Sequence, residues 1–355
     1  MCNIAGYIGN RQAAPILIEM LRRQEWLDAG LGAGIATIHE GKIYHAKITG
    51  TVDDLVRETD ALSFPGTIGF IHSRPDGKPF SYLHPFVTEN GKIALVHNGN
   101  CCVDEKSVKS RNAVADFLAD RGVKFKSVYR YERSGYPKLK NGDYVAYGET
   151  LAEYINYLKE KTGDSYEKVM ADAKSEMFSD MVSVMLTTDH PDRIFVTRIS
   201  RPMNVMISGN ETYIASSQLG FPKVERVDYM GSLPQMRSSV VKKGGFEVTP
   251  YKVVGGQVTD YTTAEFMGAY ERTKAALKER TVNVEDLGPY LHTEPRSLMS
   301  DQLRPRAKLM YDVLYELSKS GTLTMTTEER ELPWLAGTGQ SAVKRFSFSY
   351  KEKEA

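Results

Sequence analysis

The hydrophobic and polar positions along the chain fall into short, separable runs. Residues 3–9 carry Ile4, Ala5, Tyr7 and Ile8 and predict a short apolar strand. Over residues 12–26, Ile16, Leu17, Met20 and Leu21 recur at three- and four-residue spacing, which predicts an amphipathic helix. A glycine-rich turn at 30–34 leads into 35–38 and 43–48, which read as a hairpin about Glu40-Gly41-Lys42. Residues 51–61 read as a helix capped by Thr51 or Asp53. Residues 66–72 and 92–97 read as buried strands. The first runs into Ser73-Arg74-Pro75-Asp76-Gly77-Lys78-Pro79, a loop by its prolines and glycine. The second is stopped by Asn98-Gly99.

The second half follows the same logic. Residues 113–120 read as helical, and Thr150-Leu151-Ala152-Glu153 has the form of a capping box that opens a helix to about 161. Residues 166–177 read as a further helix. Strands follow at 181–188, 193–199, 205–208 and 211–216, the last two joined across Gly209-Asn210. A polar stretch at 255–260 marks a boundary. Beyond it come helical patterns at 263–280 and 306–320 and a strand-like tail at 343–350. The reading is thus a main domain, 1–256, and a small, mainly helical module, 257–355, with no internal repeat.

A chain of 355 residues is long enough for a well-buried core. Its 46 basic and 45 acidic side chains leave +1, which argues against nucleic acid or a membrane surface as partner. No apolar run reaches membrane-spanning length, and the start lacks the basic and apolar segments of a secretory leader. Cys101 and Cys102 are adjacent, a placement that rarely forms a bridge, and read as buried structural thiols. The seven histidines show no ligand spacing. These features read as a cytoplasmic protein with no metal or other cofactor, for which a homo-oligomer is possible.

Cys2 adds chemistry to this picture. Methionine before a small residue is normally removed, which would leave one residue carrying both a thiol and a free α-amine. Thiol and amine can then act as nucleophile and base without a histidine. Their reference pKa values, about 8.5 and about 7.7–8.0, allow proton exchange near neutrality. Taken alone, a Met-Cys start fits equally well a small residue opening a buried strand, and Asn98-Gly99 fits an ordinary turn.

The order of the pieces is more specific. Cys2 is followed by His72-Ser73-Arg74, His84-Pro85, Val96-His97-Asn98-Gly99, Glu149-Thr150 and Ile214-Ala215-Ser216-Ser217-Gln218-Leu219. This series resembles the class II glutamine amidotransferases, a branch of the N-terminal nucleophile hydrolases, and among them the glutaminase domain of the glucosamine-6-phosphate synthases. The likeness spans roughly residues 2–250. It implies an α/β (α+β) fold, a four-layer αββα sandwich. It implies that Cys2 attacks a side-chain amide and forms a thioester, with its own α-amine moving the proton. The Asn98 amide and the Gly99 N–H match the oxyanion hole, whose two donors supply much of the rate in such sites. Arg74 matches the arginine that grips the glutamine α-carboxylate, and His97, Glu149 and Leu151 fall on the substrate-binding segments. The implied partner is a small amide, glutamine or an analogue. Residues 257–355 are too short for a sugar-isomerase module, so either a separate synthase or acceptor subunit would take the ammonia or the enzyme would be a free-standing amidohydrolase.

Departures from the pattern matter. Leu151 stands where the resemblance implies an aspartate pairing the glutamine α-ammonium, and an apolar group cannot do that. Leu27-Asp28-Ala29-Gly30-Leu31-Gly32-Ala33-Gly34 replaces a segment with an arginine and an Asp-Ser pair. The loop after Arg74 is short, and Asn3 stands where glycine is common. Amide chemistry on an altered substrate fits this. So does a catalytically degenerate regulatory or binding subunit. Residues 123–148 read as an insertion rich in tyrosine, lysine and arginine, either an exposed hairpin or a lid or docking surface. The module beyond residue 256 holds none of the motif residues and reads as serving packing or docking.

Overall fold

The structure is a computed structural model and describes residues 2–101, 105–132, 135–292, 302–303, 306–331 and 342–351. Its architecture follows from the period-two alternation of strand β1 (Asn3–Ile8), which is buried along its whole length. Ala5 and Tyr7 enter an outer apolar layer with Leu17, Met20 and Leu21 of α1 (Ala13–Arg22) and Leu55 of α2 (Val52–Glu58). Ile4 and Ile8 enter an inner layer shared by two sheets.

The first sheet runs β11 (Tyr229–Ser232), β9 (Asn204–Ser208), β10 (Glu211–Ala215), β1, β4 (Ile68–Arg74), β2 (Gly32–His39), β3 (Lys42–Thr49). Every pairing in it is antiparallel. The second runs β13 (Gly245–Lys252), β12 (Arg237–Lys242), β8 (Arg193–Arg198), β7 (Asp180–Thr187), β6 (Ile93–Cys101), β5 (Phe86–Val87), again antiparallel. Helices α3 (Glu105–Asp120), α4 (Tyr147–Thr162) and α5 (Tyr166–Glu176) cover its outer face. There Leu118, Ile155 and Met170 share a third apolar layer with Leu95 and Met185. The order of layers is helix, sheet, sheet, helix, the αββα sandwich that the motifs led us to expect.

Beyond it lie α6 (Thr263–Glu279), α7 (Gly288–Leu291) and α8 (Arg306–Lys319), with a short parallel pair of β14 (Gln257–Val258) and β16 (Gln302–Leu303). An antiparallel sheet of β15 (Val282–Asn283), β18 (Val343–Tyr350) and β17 (Leu323–Arg330) completes the module, so it is not helical alone. Leu27 and Leu219 of the sandwich share one apolar cluster with Leu309, Tyr311, Leu314 and Phe348. Arg345 is fully buried, donating to Glu285 Oε1 at 2.7 Å and to the Ala29 carbonyl at 2.8 Å. No helix among the described residues is long and apolar enough to cross a membrane.

Candidate active site

Two strand ends, one from each sheet, meet at Cys2. In the β1–β4 ladder Asn3 faces Ser73, which brings Cys2 beside Arg74. In β6, Ala94 and Val96 point into the inner layer, and Asn98 continues that face toward β1. The Asn98 side chain clasps the Cys2 backbone. Its Oδ1 accepts from Cys2 N at 3.2 Å and its Nδ2 donates to the Cys2 carbonyl at 2.7 Å. An amide nitrogen carries two hydrogens, so this clasp engages one of them.

Gly99 follows in a left-handed conformation, φ 94°. A Cβ there would lie 2.0 Å from the Asp180 carbonyl oxygen, so both conformation and space require glycine. The sequence reading ended this strand at His97. Instead β6 continues to Cys101 through a register shift between Asn98 and Cys101, which fits a bulge that keeps the pairing with β7. Asp180 also holds Arg201 Nη2 at 2.7 Å, and Arg201 Nε lies 3.1 Å from the position of that hypothetical Cβ. Arg201 was not singled out in the sequence. The only signal was a polar turn, Ser200-Arg201-Pro202, at the end of a strand.

The Cys2 thiol is half-buried. Burial pushes its pKa up, against the pull of the Arg74 and Arg201 guanidinium groups. A thiol in that state needs a base. The motif histidines have ring nitrogens engaged with the backbone: His72 Nε2 with the His97 carbonyl at 3.1 Å, His97 Nδ1 with the Gly99 carbonyl at 2.8 Å, and His84 Nδ1 accepting from His97 N at 3.4 Å. Burial lowers all three pKa values, that of His97 to about 3, so the rings stay neutral. His72 stacks on His84 with centroids 4.1 Å apart.

The other predicted site residues are not all gathered here. Arg74 is buried, donates to the Tyr82 carbonyl, and lies 3.7 Å from Asp76 and 3.5 Å from the Tyr136 hydroxyl. His97 sits on the face of β6 opposite Asn98, its ring 5.5 Å from that of Tyr147. Glu149 accepts from the Lys126 and Ser127 amides at 2.8 and 2.9 Å and from the Ser127 hydroxyl. It thereby ties down the start of the 123–148 segment. Tyr136 of that segment stacks on Tyr82 at 4.8 Å, so the segment packs toward Arg74 and only parts of it, such as Tyr131, stay exposed. Leu151 is fully buried in the third apolar layer, beneath α4. Cys102 lies outside the described residues, as does the side chain of Cys101. Among the described residues no group of histidine, cysteine and carboxylate side chains could hold a metal ion.

The sandwich and the motif order together point to a class: the fold is that of the N-terminal nucleophile hydrolases, and the chain is similar to class II glutamine amidotransferases. No protein-family model matches the chain. Among its relatives is the glutamine–fructose-6-phosphate aminotransferase (isomerizing) of Pyrococcus horikoshii, 31% identical over 61% of this chain and 32% of that protein. The protein of the same name from Bacteroides thetaiotaomicron is 29% identical over 69% of this chain and 36% of its own length. The chain thus spans about a third of the length of these relatives. In fold it is similar to the glutamine phosphoribosylpyrophosphate amidotransferase of B. subtilis in complex with ADP and GMP, with a TM-score of 0.57 and 16% identity. That match covers 79% of this chain and 58% of the other.

Proposed function

We propose that this protein hydrolyses a side-chain amide with Cys2 as nucleophile, releasing ammonia from glutamine or a related γ-amide. After removal of Met1 the α-amine of Cys2 takes the thiol proton. The thiolate adds to the amide carbon, and the oxyanion that forms is met by the Asn98 amide and the Gly99 N–H. Collapse expels ammonia, which leaves with the proton held by the amine, and a thioester to Cys2 remains. Water then releases the acid. Arg74 supplies the cation for a substrate carboxylate. A separate synthase or acceptor subunit would use the ammonia.

The observation that carries this reading is the two-point clasp of the Cys2 backbone by the Asn98 side chain, with glycine enforced at position 99. Ammonia release is to be measured against a panel of γ-amides, with Cys2→Ala as control. An electrophilic glutamine analogue should add its mass to the peptide that begins at Cys2. Labelling on another cysteine, or full activity in Cys2→Ala, defeats the proposal.

A further inference from the structure

The start of β1 is gripped from the side opposite the inner layer by a helix of the C-terminal module. Asn3 is fully buried, and the alternation of β1 turns it to the outer face with Ala5 and Tyr7. Neither its Oδ1 nor its Nδ2 has a hydrogen bond of standard geometry, and the same holds for the hydroxyl of fully buried Tyr311 on α8. These atoms face one another: the groups bearing on the Tyr311 hydroxyl are the Asn3 amide, Arg201 and Cys2. The next residue of α8 anchors the helix to the same strand. Asp312 Oδ1 accepts from Gln218 Nε2 at 2.6 Å. Gln218 opens the turn directly after Ser216 and Ser217. Ser216 holds Ile4 twice, its Oγ accepting from Ile4 N at 3.0 Å and its N–H donating to the Ile4 carbonyl at 2.9 Å. Consecutive residues of α8 therefore bear on residue 3 directly and on residue 4 through one turn.

Buried polar atoms are almost always paired, and the Tyr311 hydroxyl and the Asn3 amide lie together, with Arg201 and Cys2 nearby. We propose that Tyr311 is a positioning residue for Cys2, acting through Asn3, so that the C-terminal module completes the active site. The inference rests on the reading of Cys2 as nucleophile. Asn98 fixes the Cys2 backbone from the inner side, and Tyr311 with Asn3 fixes it from the outer side. The thiol is thus aimed by groups more than 200 residues apart in sequence.

The test uses the full chain and the substitutions Tyr311→Phe, Asn3→Ala and both together. Two readouts are taken. One is kcat and KM for ammonia release. The other is the pH profile of Cys2 alkylation by iodoacetamide, which does not depend on amidase activity. Tyr311→Phe keeps the ring and removes one polar group near the half-buried thiol. We expect kcat to fall roughly tenfold with KM nearly unchanged, the size of one hydrogen bond. The alkylation midpoint should rise by about half a unit, because the thiolate loses polar surroundings. Asn3→Ala should do the same, and the double variant no more than either, the mark of one shared contact. If the parent releases no ammonia yet both variants shift the midpoint, the amidase reading falls and this one stands. Parent activity with kcat and midpoint unmoved in a Tyr311→Phe chain of parental melting temperature overturns the inference alone, as do additive losses. Should Tyr311→Phe fail to fold, Asn3→Ala gives both readouts.

Discussion

At the scale of single residues, the site is framed by polar groups whose protonation is set by burial. Glu25 is fully buried one shell away from Arg74. Its Oε1 accepts from the Ser73 hydroxyl at 2.8 Å and from Val52 N at 3.0 Å. Burial raises its pKa from 4.5 to about 7, opposed by those two bonds. The folded chain thus holds a proton that the unfolded chain gives up. The associated stability is fully present below about pH 4.5 and is lost as pH rises through about 7. The difference across that window is on the order of 3 kcal/mol. Glu25→Gln, which stays neutral, should melt higher than the parent at pH 8 and flatten the dependence between pH 5 and 8. An unchanged slope in that variant would show that another group titrates there.

Asn98 is the second residue-scale case. Its amide clasps the Cys2 backbone, and in the proposed reaction it meets the oxyanion. Asn98→Ala should lower kcat by about 10²–10³ while changing KM little. A variant with unchanged kcat and a raised KM would assign Asn98 to ground-state binding instead. The neutral, backbone-bound histidines lead to a related expectation. The pH–rate profile should show no step near 6.5 from a histidine, and a rate that tracks an imidazole would contradict the α-amine as base.

At the scale of elements, what was legible in the sequence divides by the range of the interactions involved. The β2–β3 hairpin, β1 and the Thr51 cap of α2 come from local spacing and local hydrogen bonds, and all are found; the cap is a full box with Asp54. Elements held by distant partners depart from the local pattern. The first half of α3 is polar and lacks a helical stripe, yet it lies against the rest of the sandwich through Ser107 and Arg111. α4 begins at Tyr147, three residues before the capping-box pattern, with no side-chain cap. β12 and β13 carry too short an alternation to be seen without β8 beside them. Cys2, Arg74, Asn98 and Gly99, singled out by motif order, are brought together by the fold. Arg201 and Tyr311 carry no motif, because their approach to Cys2 arises only from contacts across the fold. Leu151 belongs to α4 as a core residue. Leu151→Ala should cost about 2–5 kcal/mol of stability and leave the rate of Cys2 alkylation in the folded protein unchanged. Slower alkylation in a fully folded variant would place the side chain at the site.

At the scale of the whole molecule, the module beyond residue 256 shares a core with the sandwich rather than hanging from it. A chain ended at Gly256 would leave Leu27 and Leu219 without that apolar cover and Asn3 without Tyr311. It should melt well below the parent and lose Cys2-dependent activity even where it stays soluble. A soluble, fully active fragment would make the module an accessory.

The central place of β1 has one more consequence, in the time domain. Its ladder partners are β4 and, more than two hundred positions away, β10, where Ala5 meets Ala215. Pairings between such distant segments form slowly, since a long loop must close before any contact rewards it. A strand synthesised more than two hundred positions ahead of its partner is therefore among the last to be locked in place. Chemical competence should return on refolding in step with the final compaction of the sandwich, and half-assembled chains should be catalytically silent.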